Sequence, residues 1–197
     1  MTQQSRIPAP LAAAILALGL TACGGDGITN VSLGGTISGL TQTGLVLNDG
    51  VTNLTIAANA TSFTFPRRLN EGSTYFVFVA QQPALQTCSI ANNGGVVGNS
   101  DIKNVAVTCV PNNTLGGTVG NLRGTGLVLV NGPDRVTVAP PSVAGNDASF
   151  VFPTRVASGA NYGVTILTQP TGQTCAVANG VGTMGSTDVS NVRVTCQ

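Results

Sequence analysis

Five cysteines, Cys23, Cys88, Cys109, Cys175 and Cys196, are the most reactive side chains in this 197-residue chain. Cys88 and Cys109 stand 21 positions apart, and so do Cys175 and Cys196. A thiol can act as a nucleophile, a metal ligand or half of a disulfide, and its company decides which. The chain has no histidine, which removes the commonest general base and the commonest metal ligand together. Lys103 is its only lysine. A nucleophilic Ser or Cys would have to borrow that lysine or a carboxylate as its base. Two distant cysteine pairs, with no CxxC, lack the ligand spacing of a zinc site. Asp134 and Asp147 flank a loop, but no D-x-D-x-D run accompanies them, so calcium has no recognisable cradle. The residue types therefore point away from an enzyme, from a cofactor and from a bound metal.

Cys23 has a different setting from the other four. Residues 1–10 carry one positive charge, Arg6, and residues 11–20, LAAAILALGL, are apolar or glycine. An apolar run of that length is too short for a bilayer-spanning helix, which needs about 20 residues. It fits the hydrophobic region of a secretory signal peptide, a positive start followed by an apolar core and small residues. The run Leu20-Thr21-Ala22-Cys23 resembles the lipobox of bacterial lipoproteins. The resemblance implies that residues 1–22 are a leader removed before Cys23, and that the Cys23 thiol carries a diacylglycerol. GGDGITN then reads as a flexible tether over 23–30. Acyl chains contribute about 0.8 kcal/mol per buried CH₂, so more than one chain makes a stable anchor. Gly24 is not the aspartate that retains such lipoproteins in the inner membrane, so the resemblance implies the outer membrane, on its periplasmic or its outer side. With Arg6 removed the chain is electrically neutral and has no basic stripe, which argues against nucleic acid as a partner.

The rest of the chain is written twice. LGGTISGLTQTGLVL (33–47) returns as LGGTVGNLRGTGLVL (115–129), SFTFP (62–66) as SFVFP, QPALQTCSIAN (82–92) as QPTGQTCAVAN, and NVAVTC (104–109) as NVRVTC. The offset grows from 82 to 87, which places a five-residue insertion in repeat two within APPSVAGNDA. The repeats span 31–111 and 112–197, with VPNN (110–113) at the join, a link short enough to restrict their relative orientation. Charged residues make up only 8% of the chain, against roughly 25% in an average soluble domain, while apolar residues alternate in short runs. Each repeat reads as about seven short strands. Tyr75, Val77 and Val79 share one face, as do Tyr162, Val164 and Ile166, and the closing strands alternate likewise. Period-two patterning with one polar face predicts an all-β chain of two tandem antiparallel β-sandwiches. Oxidising surroundings pair cysteines, and equal spacing in both repeats predicts the disulfides Cys88–Cys109 and Cys175–Cys196. Asp101 and Asp188 are repeat equivalents and read as turn residues, and NNGG and NGVG read as hairpin turns.

The order GGT…GLVL…SFTFP…G-x-x-Y-x-V is similar to transthyretin-like and Cna-B-type β-sandwich repeats. With its QTC…NVxVTC ending, the whole unit also resembles a tandem repeat of proteobacterial envelope lipoproteins. That resemblance implies a fold and a location and little about ligands. The core tryptophan of an immunoglobulin domain is missing, and Ser190 occupies the place of Lys103, so a Lys–Asn isopeptide crosslink is not implied. Two functions follow as expectations. One is a lipid-anchored structural or interaction module for adhesion or assembly, whose partner would be another protein of unspecified identity. The other is an envelope binding protein for a small molecule or glycan. Phe76 and Phe78 sit on the nominal solvent face of their strand where repeat two has Gly163 and Thr165, and so form a candidate contact patch.

Overall fold

The computed structural model describes Met1 and residues 30–197. The leader after Met1, Cys23 and nearly all of the tether lie outside the described residues. The described chain is all-β. Repeat one contains β1 (Asn30–Ser38), β2 (Leu45–Asn48), β3 (Asn53–Ile56), β4 (Ser62–Asn70), β5 (Thr74–Phe76), β6 (Phe78–Gln81), β7 (Gln86–Ala91), β8 (Gly94–Val96) and β9 (Ile102–Asn113). Repeat two contains β10 (Leu115–Gly120), β11 (Leu127–Asn131), β12 (Asp134–Val138), β13 (Ala148–Val151), β14 (Val156–Ala157), β15 (Asn161–Thr168), β16 (Cys175–Ala178), β17 (Val181–Thr183) and β18 (Val189–Cys196).

Each repeat stacks two layers around its own core. In repeat one β4-β1-β9-β7 form one layer, and β3-β2-β6 with β5-β8 form the other. In repeat two the layers are β13-β10-β18-β16 and β12-β11-β15-β17. Alternation explains the packing, since side chains two apart point the same way. Leu45 and Leu47 of β2 and Val105 and Val107 of β9 meet Phe63 and Phe65 of β4, all buried. Leu127, Leu129, Val192, Val194, Phe150 and Phe152 repeat the arrangement. In both cores the two phenylalanines meet edge to face, with centroids 5.8 and 5.9 Å apart.

The expected antiparallel pairing holds for all neighbours but one in each repeat. The first and last strands of each repeat are adjacent and parallel: Gly35 to Ser38 align with Val105 to Thr108, and Gly117 to Gly120 with Val192 to Thr195. The Gly-Gly of LGGT is required there. A Cβ on Gly35 would stand 1.8 Å from the Val105 carbonyl oxygen, and one on Gly117 1.9 Å from that of Val192. The register shifts at this same point, between Leu33 and Gly35 and between Leu115 and Gly117, as a bulge demands.

A second correction concerns NNGG and NGVG, which are not hairpin turns. β7 pairs with β9 in one layer and β8 with β5 in the other, so the turn carries the chain across the sandwich. β16 and β17 do the same. Asn92 and Asn179 supply the left-handed residue, at φ 54° and 55°, a conformation that asparagine tolerates better than most.

The join between repeats is itself a strand. β9 runs on through VPNN to Asn113. Its Val110 and Pro111 still face β7, while Asn112 and Asn113 face β14 of repeat two. Asn112 donates its N–H to the Leu85 carbonyl at 2.9 Å, and Ser158 donates to the Pro111 carbonyl at 2.9 Å. The buried Asn113 side chain donates to the Gly185 carbonyl at 2.8 Å. The link is thus hydrogen-bonded to both sandwiches.

Candidate functional site

Phe76 and Phe78 belong to what is nearly one strand, interrupted at Val77. Val77 is fully buried, so its two neighbours point outward. Phe76 is 56% and Phe78 40% exposed, and their rings stack with centroids 6.2 Å apart and planes inclined by 27°. Cross-strand pairing sets their surroundings. Phe76 lies opposite Gly94, Thr74 opposite Val96, and Phe78 opposite Asn48. The ring of Phe76 leans over Gly94, where a Cβ would come within 3.2 Å of it. Val96, 71% exposed, extends the apolar surface along the edge strand β8. Sequence reading missed Val96, because a three-residue strand rich in glycine has no hydrophobic alternation to detect. In repeat two the three positions are Gly163, Thr165 and Thr183, and a lone exposed Val181 replaces Gly94. The patch thus belongs to repeat one. Beneath the sheet, the Tyr75 and Tyr162 rings cover Gly95 and Gly182 on the neighbouring strands.

Four of the five cysteines are joined as cross-strand disulfides, Cys88 of β7 to Cys109 of β9 and Cys175 of β16 to Cys196 of β18. All four are buried in the cores. Cys23 lies outside the described residues. The motif around these cysteines holds the fold through two glutamines in each repeat, whose part was not legible beforehand. Gln82 pairs its side-chain amide with Cys88 like a strand neighbour, accepting from the backbone N–H at 2.7 Å and donating to the carbonyl at 2.9 Å. Gln169 does the same for Cys175. Buried Gln86 accepts from the N–H groups of Thr41 and Gln42 and donates to the Gly39 carbonyl. Gln173 holds the matching loop at Asn121, Arg123 and Gly124.

The carboxylates also serve the backbone. Asp101, just before β9, accepts the Ser32 N–H at 2.8 Å, and Asp188 accepts the Thr114 N–H at 2.6 Å. They are more than turn residues, because they add a side-chain rung where the parallel ladder begins. Those N–H bonds hold both carboxyl groups below the ordinary aspartate value. Asp49, with no exposed side-chain surface, accepts from Val51 and Thr52 N–H and pairs with Arg67 at 3.0 Å. Burial pushes its carboxyl up, but the Thr52 and Val51 N–H groups and the Arg67 charge outweigh this and hold it below the ordinary value. Asp147 pairs with Arg193, and Asp134 accepts from the N–H groups of Arg135 and Thr154. The structure does not gather Asp134 and Asp147 into one site, and among the described residues no three His, Cys, Asp or Glu side chains form a metal-binding group. A hollow of about 530 Å³ beside Asn131, Asp134 and Arg155 is walled largely by apolar surface, and these three polar side chains already have partners: Asn131 accepts from the Gly163 N–H, Asp134 from the Thr154 N–H, and Arg155 donates to the Asn112 carbonyl.

No family model matches the chain, and no curated protein matches it. Among solved structures, a C-terminal fragment of the pilus adhesin SpaC from Lactobacillus rhamnosus GG is 11% identical, over 85% of this chain and 96% of that one, with a TM-score of 0.32. A double mutant of the shaft pilin SpaA from the same organism is 9% identical, over 86% and 98%, with a TM-score of 0.27. Likeness at that level carries no argument about this chain, whose all-β class rests on its own strands and cores.

Proposed function

We propose that this protein is a lipid-anchored, non-catalytic structural or interaction module of the bacterial outer membrane. Cys23 is its lipidation site, and the stacked Phe76–Phe78 pair is its contact surface for another protein. The observation that carries the interaction reading is that pair. Two large rings stand on the outer face of a sheet, in one repeat only, while the fold is already complete beneath them. Exposed apolar surface of this kind marks contact sites on soluble domains. The anchor rests on the LTAC sequence and the apolar leader before it.

Two measurements test the two halves separately. Mass spectrometry of protein purified from membranes should find a diacylglyceryl-modified Cys23 as the first residue, and Cys23→Ser should abolish that species. Wild-type protein without lipid overturns the anchor. A photo-crosslinking residue at Phe78 in cells should capture a discrete protein band that is absent when the same residue replaces Thr165. Equal labelling from both positions overturns the contact surface.

A further inference from the structure

From the strand order we infer a mechanical function: each repeat is a shear clamp that resists tension along the chain, and the two clamps lie in series. The first and last strands of a repeat are adjacent and parallel. The chain therefore enters at one end of this ladder and leaves at the other. Tension pulling entry and exit apart slides β1 along β9, and β10 along β18, so the rungs of a ladder must fail together rather than one after another. The aligned rungs are Gly35–Val105 to Ser38–Thr108 in repeat one and Gly117–Val192 to Gly120–Thr195 in repeat two.

Three further features act on the same strands. The glycines of LGGT let the parallel strands approach, since any Cβ at Gly35 or Gly117 would strike the partner carbonyl. Asp101 and Asp188 tie the start of each ladder to Ser32 and Thr114. The disulfides join β9 to β7 and β18 to β16, so the exit strand cannot be drawn out of its layer alone. Because β9 continues into repeat two and pairs there with β14, force leaving the first clamp passes directly into the second. This inference goes beyond the anchoring and contact reading and does not depend on either.

Single-molecule pulling of the full chain tests it, with one handle at Asn30 and the other at Gln197. Forced unfolding reports the barrier to unfolding rather than equilibrium stability, so geometry is the comparison that matters. A second attachment, at Asn30 and Ser100, grips both strands of the first ladder at the same end and peels it open. Rupture of repeat one should need several-fold more force in the first geometry than in the second. Equal forces overturn the clamp, and neither attachment alters a residue of the ladders. Under oxidising conditions the 21-position interval closed by each disulfide is withheld from extension. Reduction should therefore lengthen each unfolding step by about 70 Å, at about 3.5 Å per residue. Steps of unchanged length overturn the part assigned to the disulfides.

Discussion

Replacing Asp49 by asparagine isolates the pairing of a buried carboxylate with the partly exposed Arg67 guanidinium in repeat one. One carboxylate oxygen accepts from the N–H groups of Val51 at 3.0 Å and Thr52 at 2.6 Å, and the other from Arg67 Nε at 3.2 Å and Nη2 at 3.0 Å. The asparagine oxygen can keep the first two bonds, but its NH₂ group then faces a guanidinium with nothing to accept. Breaking a buried pair from one side costs about 3–5 kcal/mol. Here the Arg67 side chain is 40% exposed and recovers hydration, which brings the expected loss for D49N to about 2 kcal/mol. Repeat two supplies the control, because Asn131 and Thr154 stand where repeat one has Asp49 and Arg67. The double variant D49N/R67T reproduces that pair and should be less destabilised than D49N alone. The carboxyl value is depressed in the folded state. Its contribution is therefore fully present above the ordinary aspartate value of 3.8 and is lost as pH falls through the lower folded value. Urea unfolding of wild type and D49N, followed from pH 7 into that acid range, should show a gap that closes. A gap under 0.5 kcal/mol at pH 7, or one that persists once the carboxyl is protonated, refutes the reasoning.

Gly35→Ala and Gly117→Ala each drive a Cβ into a partner carbonyl and should cost at least about 1–3 kcal/mol by overpacking. Gly163→Ala, with nothing within 4 Å, should stay within about 0.5 kcal/mol of wild type by thermal or urea unfolding. Changing Phe76 and Phe78 together to Thr should cost about 1 kcal/mol, against about 3–5 kcal/mol for buried Phe65→Ala; a loss as large as the buried control would place the rings in the core. Removing the Cys88–Cys109 disulfide by a double Cys→Ala change should lower stability by roughly 3 kcal/mol in the chain-entropy model, visible as a fall in the urea midpoint.

What the amino-acid sequence determined by itself is what its local periods encode. Alternation in TYFVFVA and NYGVTIL placed Tyr75, Val77, Tyr162 and Val164 inward and Phe76 and Phe78 outward, and the structure has them there. The doubled motifs marked two units, each with its own core. The equal cysteine intervals named the pairs that are joined, because two cysteines directly opposite on neighbouring strands recur at the same interval in both copies. Period two, however, reports only the face of a strand, never its neighbour, and it is the same for parallel and antiparallel strands. So the parallel pairing of first and last strands, the crossing at NNGG and the sharing of β9 between sandwiches were decided by tertiary structure. Each depends on contacts between segments far apart in the chain. The same limit hid the glutamines of the QTC motif and the aspartates before the closing strands. In sequence they are ordinary polar residues, and only the folded chain brings an unpaired backbone N–H within their reach. The glycines of LGGT were visible as a repeat, but their reason lies in a carbonyl some seventy residues further along, which stands where their side chains would be.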